Sequence, residues 1–231
     1  MTAAGRLRAT IACDLRVQSR NGFFIASALV AVSSIVVLRW LPDDAVDLLL
    51  PIILLQNVLT NSFYFVSGMI LLERGEGTLV AQLVSPLRAH EYIASKVITL
   101  LGLSLVESLL ITVAAADPGA GVIPLTLGLG LASILYTLFG IICVARYQSI
   151  NEFLMPSVVY TALLSLPIFG YFGIGPQWLY VAHPLQWCLD LIVGGFAPIR
   201  AGHLVFAVVA AAAFLWPSLL WAERRLRRSV A

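Results

Sequence analysis

From residue 123 to residue 145 the chain runs without a single charged side chain. Coiled as a helix at about 1.5 Å per residue, such a stretch crosses a hydrocarbon core about 30 Å thick. Comparable apolar stretches recur along the sequence. Inside lipid every backbone polar group must be satisfied internally, so the chain has to form helices or a closed barrel. Apolar runs of roughly twenty residues select helices, since a barrel strand needs only about ten. Composition agrees, with 60% hydrophobic and 11% charged residues, where a soluble domain carries about a quarter charged.

The expected fold is therefore an all-α integral membrane protein forming a single domain over residues 1–231. Spans are predicted at residues 22–41, 48–72, 97–116, 123–145, 154–172 and 203–222, the fourth opening after the turn-like "DPGAG". With the N-terminus inside, Arg6, Arg8, Arg16, Arg20, Arg74, Arg88, Lys96, Arg146, Arg224, Arg225, Arg227 and Arg228 fall on the inner side. Only Arg39 and Arg200 fall outside, and the outer loops carry Asp43, Asp44, Asp47, Asp117 and Asp190. That bias predicts a multi-pass protein of the bacterial cell membrane with both termini cytoplasmic. No cleavable signal peptide is expected, because the arginine-rich start lacks an apolar stretch with a small-residue cleavage site. Cys13, Cys143 and Cys188 lie far apart and suggest neither a disulfide framework nor a metal site.

Two segments lie beside the spans. In residues 1–21, Leu7, Ile11 and Leu15 recur every four positions among arginines, the pattern of an amphipathic helix at the membrane surface. Residues 173–202 are too long and too polar for a tight turn. Trp178, Tyr180 and Trp187 suit a membrane interface, and Leu185, Leu189 and Ile192 are placed to dip into the outer leaflet as a short helix. An outer re-entrant or interfacial hairpin is expected there.

The densest mixed-charge segment, "LLERGEGTLVAQLVSPLRAHEYIASKVITL", sits between two spans and carries the only lysine, Lys96, near its end. Leu79, Val80, Leu83 and Val84 pattern as a short amphipathic helix. Ser85 before Pro86 then marks a helix start running through Tyr92 and Lys96 into the third span. Residues 73–96 thus read as helix, break, helix: a protrusion tied to spans two and three. Pattern alone leaves open whether it is a coupling element or a merely structured loop.

At these residues the chain resembles type-2 ATP-binding-cassette exporter permeases, in particular the fluoroquinolone-export type of actinobacteria. Glu73, Gly77, Thr78, Leu79, Leu83, Pro86 and Lys96 fit the shared pattern of an acid, Gly-Thr-Leu, a leucine, a proline and a lysine. The layout of surface helix, six spans, outer hairpin and basic tail matches over nearly the whole chain. The resemblance implies that this segment contacts a separate ATPase subunit, that two permease halves (identical or different) form the pathway, and that ATP and magnesium belong to the partner. It leaves the cargo open between an amphiphilic drug and a lipid, glycan or haem.

No phosphate loop of the form G-x-x-x-x-G-K-[ST] occurs, nor H-E-x-x-H, nor G-x-S-x-G. No catalytic residue, metal site, resident cofactor or nucleic-acid partner is expected, and a membrane enzyme or a plain anchor is the remaining alternative. Within the spans, Asn57, Thr60, Asn61, Tyr64 and Ser67 fall on one helical stripe, and Ser157, Thr161 and Ser165 repeat the spacing. They read either as helix-packing bonds or as a weakly polar substrate path. Glu107 lies eleven residues past Lys96, about 16 Å into the core. A charge there costs at least about 2.5 to 3.5 kcal/mol, so the side chain should face protein or water.

Overall fold

The computed structural model describes residues 2–78, 87–115 and 121–228, and every element among them is a helix. Helix α1 (Ala3–Arg20) starts at Thr2, whose hydroxyl accepts from the Gly5 N–H at 3.3 Å. After a 64° bend it gives way to α2 (Phe23–Arg39). Next come α3 (Asp43–Leu59), a π-helical turn (Thr60–Tyr64) and α4 (Phe65–Gly75), together one rod of 33 residues. At about 1.5 Å per residue that rod is longer than a core about 30 Å thick.

Helix α5 (Ala89–Ala115) and α6 (Val122–Val144) come next. Ser149 caps α7 (Ile150–Leu164) by accepting from the Glu152 N–H, and the Glu152 carboxylate accepts from the Gln148 N–H at 3.0 Å. Helix α8 (Leu166–Tyr171) continues α7 beyond Ser165, where Pro167 begins a new turn. The short α9 (Gln177–Val181) and α10 (Gln186–Val193) lead into α11 (Ala201–Arg228).

Among the described residues five helices are long and apolar enough to cross a membrane, and the bent α1–α2 pair, counted as one span, brings the number to six. Each predicted span falls on a helix. The second and third are longer than expected: Glu73 and Arg74 at the end of one and Glu91 and Lys96 near the start of the other find partners inside the protein instead of ending the helix.

Helix α6 is the axis of the bundle and packs against α3, the π turn, α4, α5, α10 and α11. Its Leu129, Ala132, Leu135, Tyr136 and Ile141 are wholly buried. Close approach depends on two glycines. A Cβ on Gly140 would lie 2.5 Å from Val66 Cγ1 and 2.9 Å from the Phe63 carbonyl oxygen. One on Gly128 would lie 2.8 Å from the Ile192 nitrogen, so α10 presses directly on the α6 backbone.

That contact corrects the expectation for the hairpin. Leu185, Leu189 and Ile192 are all 0% exposed and turn inward onto the bundle rather than out into a leaflet. Protein packing gives them the dry surface that lipid was expected to provide. Trp178 is exposed, while Trp187 and Tyr180 are buried. The outward surface is apolar: Ile25, Leu29 and Val32 on α2, Met155 and Val158 on α7, and Val205 and Val209 on α11 are all exposed, as a lipid-facing belt requires.

Candidate functional site

The residues flanking the mixed-charge segment converge on one buried cluster. Lys96, on α5, is 0% exposed and places its ammonium between Asp14 of α1 and Glu73 of α4. It donates to Asp14 Oδ1 at 2.6 Å and to Glu73 Oε1. Ser95 donates to Asp14 Oδ2, and the Tyr92 hydroxyl donates to Glu73 Oε2 at 2.6 Å. Each of the four carboxylate oxygens therefore has a donor. The Tyr92 ring adds a face 4.9 Å from the ammonium. Buried charges persist only when paired and hydrogen-bonded in this way.

Around this cluster α1 is strapped to both flanks of the segment. Arg6 makes a two-pronged bond to Glu91, with Nε at 3.1 Å and Nη2 at 2.7 Å. Arg20 reaches Glu76 at 3.3 Å, an exposed and weaker contact. Gln18 donates to Thr99 at 2.9 Å. On the other side, Arg74 donates to the Tyr147 and Ala145 carbonyls and so holds the C-terminal end of α6. The entry and exit of the segment are thus fastened to α1, and through α1 and Arg74 to α2 and the α6–α7 connection.

Among the residues assigned to coupling by sequence, Glu73 is buried within the cluster. Gly77 bonds its N–H to the Arg74 carbonyl at 3.1 Å, and Thr78 donates to the Glu73 carbonyl at 3.1 Å. Leu79, Leu83 and Pro86, with the expected short helix and the Ser85–Pro86 start, lie outside the described residues. Asp14, Gln18, Ser95 and Arg74 join the site without having been singled out by sequence. A signal exists for the first two, since Leu7, Ile11, Asp14 and Gln18 share one helical face. Leu15, expected on that face, is 42% exposed.

The polar residues of the spans form a second set. Asn57 donates to Ser34 of α2 at 3.0 Å, Asn61 donates to Glu107 of α5, and Tyr64 meets Thr161 of α7 at 3.3 Å. The expected single stripe is split among three neighbouring helices. The π turn inserts extra backbone at Thr60–Tyr64 and rotates the α4 end of the rod relative to α3. It also lets Ser62 bond Ser104 at 3.1 Å and Ser133 at 2.8 Å. Glu107, 3% exposed, accepts from Ser27 as well as Asn61. Ser157 donates to its own helix at Leu154, and Thr161 to the Ser157 carbonyl at 2.9 Å. Tyr64 and Thr161 remain half-buried.

Comparison with known proteins decides what kind of bundle this is. The fluoroquinolones export permease protein family matches residues 5–230. The chain belongs to that family. Two proteins named fluoroquinolones export permease protein, from Mycobacterium tuberculosis strains CDC 1551 / Oshkosh and ATCC 25618 / H37Rv, are each 28% identical over 214 residues. The alignment covers 90% of this chain and 90% of each relative. The molecule is thus a multi-pass export permease of the membrane.

Proposed function

We infer that this permease is the membrane-spanning subunit of an ATP-driven exporter, working with a separate ATP-binding-cassette ATPase that binds ATP and magnesium. The observation that carries the reading is the Asp14–Lys96–Glu73 cluster. A segment that only joins two spans has no need of a fully buried ammonium fastening both of its flanks to a third helix. A segment that receives a push from a partner needs such rigid flanks, because a floppy base would absorb the motion.

The cargo proposed is an amphiphilic small molecule of the fluoroquinolone kind, as the relatives' names state for those proteins. Two permease halves enclose the pathway in this reading. Tyr64 and Thr161, which are half-buried, line it on the same reading. Asn57, Asn61 and Glu107 set its shape by tying helices together, and Ser157, bonded within its own helix, sits beside Thr161 on the same face. The termini and residues 73–96 face the cytoplasm, supported by the arginine bias.

Association tests the reading. A tagged permease co-expressed with an ATP-binding-cassette ATPase from the same organism should retain it through purification. Leu83→Asp, which puts a charge on the apolar face read from sequence, should lose the ATPase while leaving membrane insertion intact. Equal recovery of ATPase by both forms would remove residues 73–96 as the docking segment.

A further inference from the structure

At the end of the bundle away from the termini, α8, α9, α10 and α11 line a half-open cavity of about 320 Å³. Tyr171, Tyr180, Gln186, Trp187, Asp190 and His203 are among its lining residues. The volume is at the lower end of what a small organic ligand occupies. None of these residues belongs to the junction or to the polar set of the spans.

The hydrogen-bonding capacity of the lining is one-sided. The Tyr171 hydroxyl donates to the Leu48 carbonyl at 3.1 Å and the Tyr180 hydroxyl to the Ile174 carbonyl at 2.6 Å, so both phenolic protons are already committed. Gln186 donates its amide to Asp190 Oδ1 at 2.9 Å, and its own Oε1 is buried without a donor among the described residues. Among those residues Asp190 Oδ2 has only His203 Nε2 at 3.9 Å, beyond hydrogen-bond reach. The cavity therefore offers the Asp190 carboxylate oxygen, and behind it lies a buried amide oxygen that lacks a donor among the described residues. Around them stand the aromatic rings of Trp187, Tyr171 and Tyr180, with Trp187 braced edge-on by Phe206 at 4.9 Å.

The geometry points to a binding site for an organic ammonium ion, a protonated amine on an apolar or aromatic skeleton. The N–H groups of such an ion donate to the Asp190 carboxylate, its charge offsets that of Asp190, and its skeleton lies against the rings. A bare metal cation is a poor match, because one carboxylate and one amide are too few oxygens for calcium, which takes six to eight. His203, about half exposed, is the group the ammonium displaces from Asp190. The inference stands on the cavity alone and is independent of whether the permease works with an ATPase.

Equilibrium dialysis of the purified full-length permease, held in nanodiscs of phosphatidylglycerol, tests it with three probes of similar shape: benzylamine, benzyl alcohol and benzoate. At neutral pH benzylamine is a cation, and it should bind at least about tenfold more tightly than the other two, one close charge pair being worth about that factor. Asp190→Asn should remove the preference. Equal affinity for benzylamine and benzyl alcohol on the unaltered permease would overturn the proposal, and that comparison needs no variant to fold. So would an unchanged benzylamine affinity in a folded Asp190→Asn protein. Adding phosphatidylethanolamine to the discs identifies the source of the amine: competition assigns the site to a lipid headgroup ammonium, and its absence assigns it to a soluble one.

Discussion

Lys96 and Asp14 stand 82 positions apart in sequence and 2.6 Å apart in space, the ammonium of α5 against the carboxylate of α1. With Glu73 as the second acid, this contact decides where α1 lies. The helix is not merely laid on a membrane surface; it is docked by a buried charge.

Removing the cation alone should therefore be severe. Lys96→Met leaves two carboxylates buried without their counter-charge, which typically costs about 3 to 5 kcal/mol. The combined variant Asp14→Asn, Glu73→Gln, Lys96→Met should recover most of that loss, since no charge is then left uncompensated. Thermal unfolding in detergent measures both. A combined variant no more stable than Lys96→Met would show that the cluster's shape, not its charge balance, holds the junction.

Glu107 acts as a tie between helices. Glu107→Gln keeps oxygen and size for Ser27 and Asn61 and should assemble and export normally. Glu107→Leu leaves both of those groups without their shared acceptor, at about 1 to 3 kcal/mol for each unmet group. A Gln variant that assembles but no longer exports cationic cargo would make Glu107 a working ionisable group instead.

The close approach of α6 to the π turn gives a steric prediction. Gly140→Leu must displace Val66 or the Phe63 backbone, and overpacking of this kind costs about 1 to 3 kcal/mol. Gly102→Leu, with nothing within 4 Å of the added Cβ, is the control and should be near neutral. Equal melting temperatures for the two variants would contradict the tight α6 contact.

The hairpin carries a pH dependence. Burial pushes the His183 imidazole down to about 4 from an ordinary 6.5, while its Nδ1 accepts the Leu185 N–H at 3.2 Å. Between those two values the unfolded chain binds a proton that the folded chain refuses. This contribution to stability is therefore complete above about pH 6.5 and falls as the pH drops towards 4. The sign for Asp190 is opposite, since burial raises its carboxyl, so the comparison must be made between forms that share Asp190. His183→Gln should melt with a shallower loss between pH 7 and pH 4.5 than the unaltered permease. Identical slopes would exclude His183 as the group responsible.

Much of the bundle is legible in the sequence because a helix in lipid must be apolar over a fixed length. The charge-free residues 123–145 coincide with α6 to within a residue at each end, and Glu107 faces protein, as its depth in a span requires. Polar residues inside the fold are harder. Asp14 and Gln18 share the apolar face of α1, but nothing local names their partners, Lys96 and Thr99, which lie some eighty residues away. The split of Asn57, Asn61 and Tyr64 among three helices depends on a π turn for which the sequence offers no cue. The inward turn of Leu189 and Ile192 cannot be told from insertion into lipid by sequence, since both environments ask for the same side chains.

If residues 73–96 transmit the work of a separate ATPase, export by this permease must depend on both. Proteoliposomes holding the permease with the co-expressed ATPase, oriented with the ATPase outside, measure that dependence directly through uptake of a fluorescent fluoroquinolone. The expected uptake requires external ATP, disappears when the ATPase is omitted, and is lost in Leu83→Asp despite normal incorporation of the chain. ATP-dependent uptake that is unchanged in Leu83→Asp, or equal uptake by the permease alone, would contradict it.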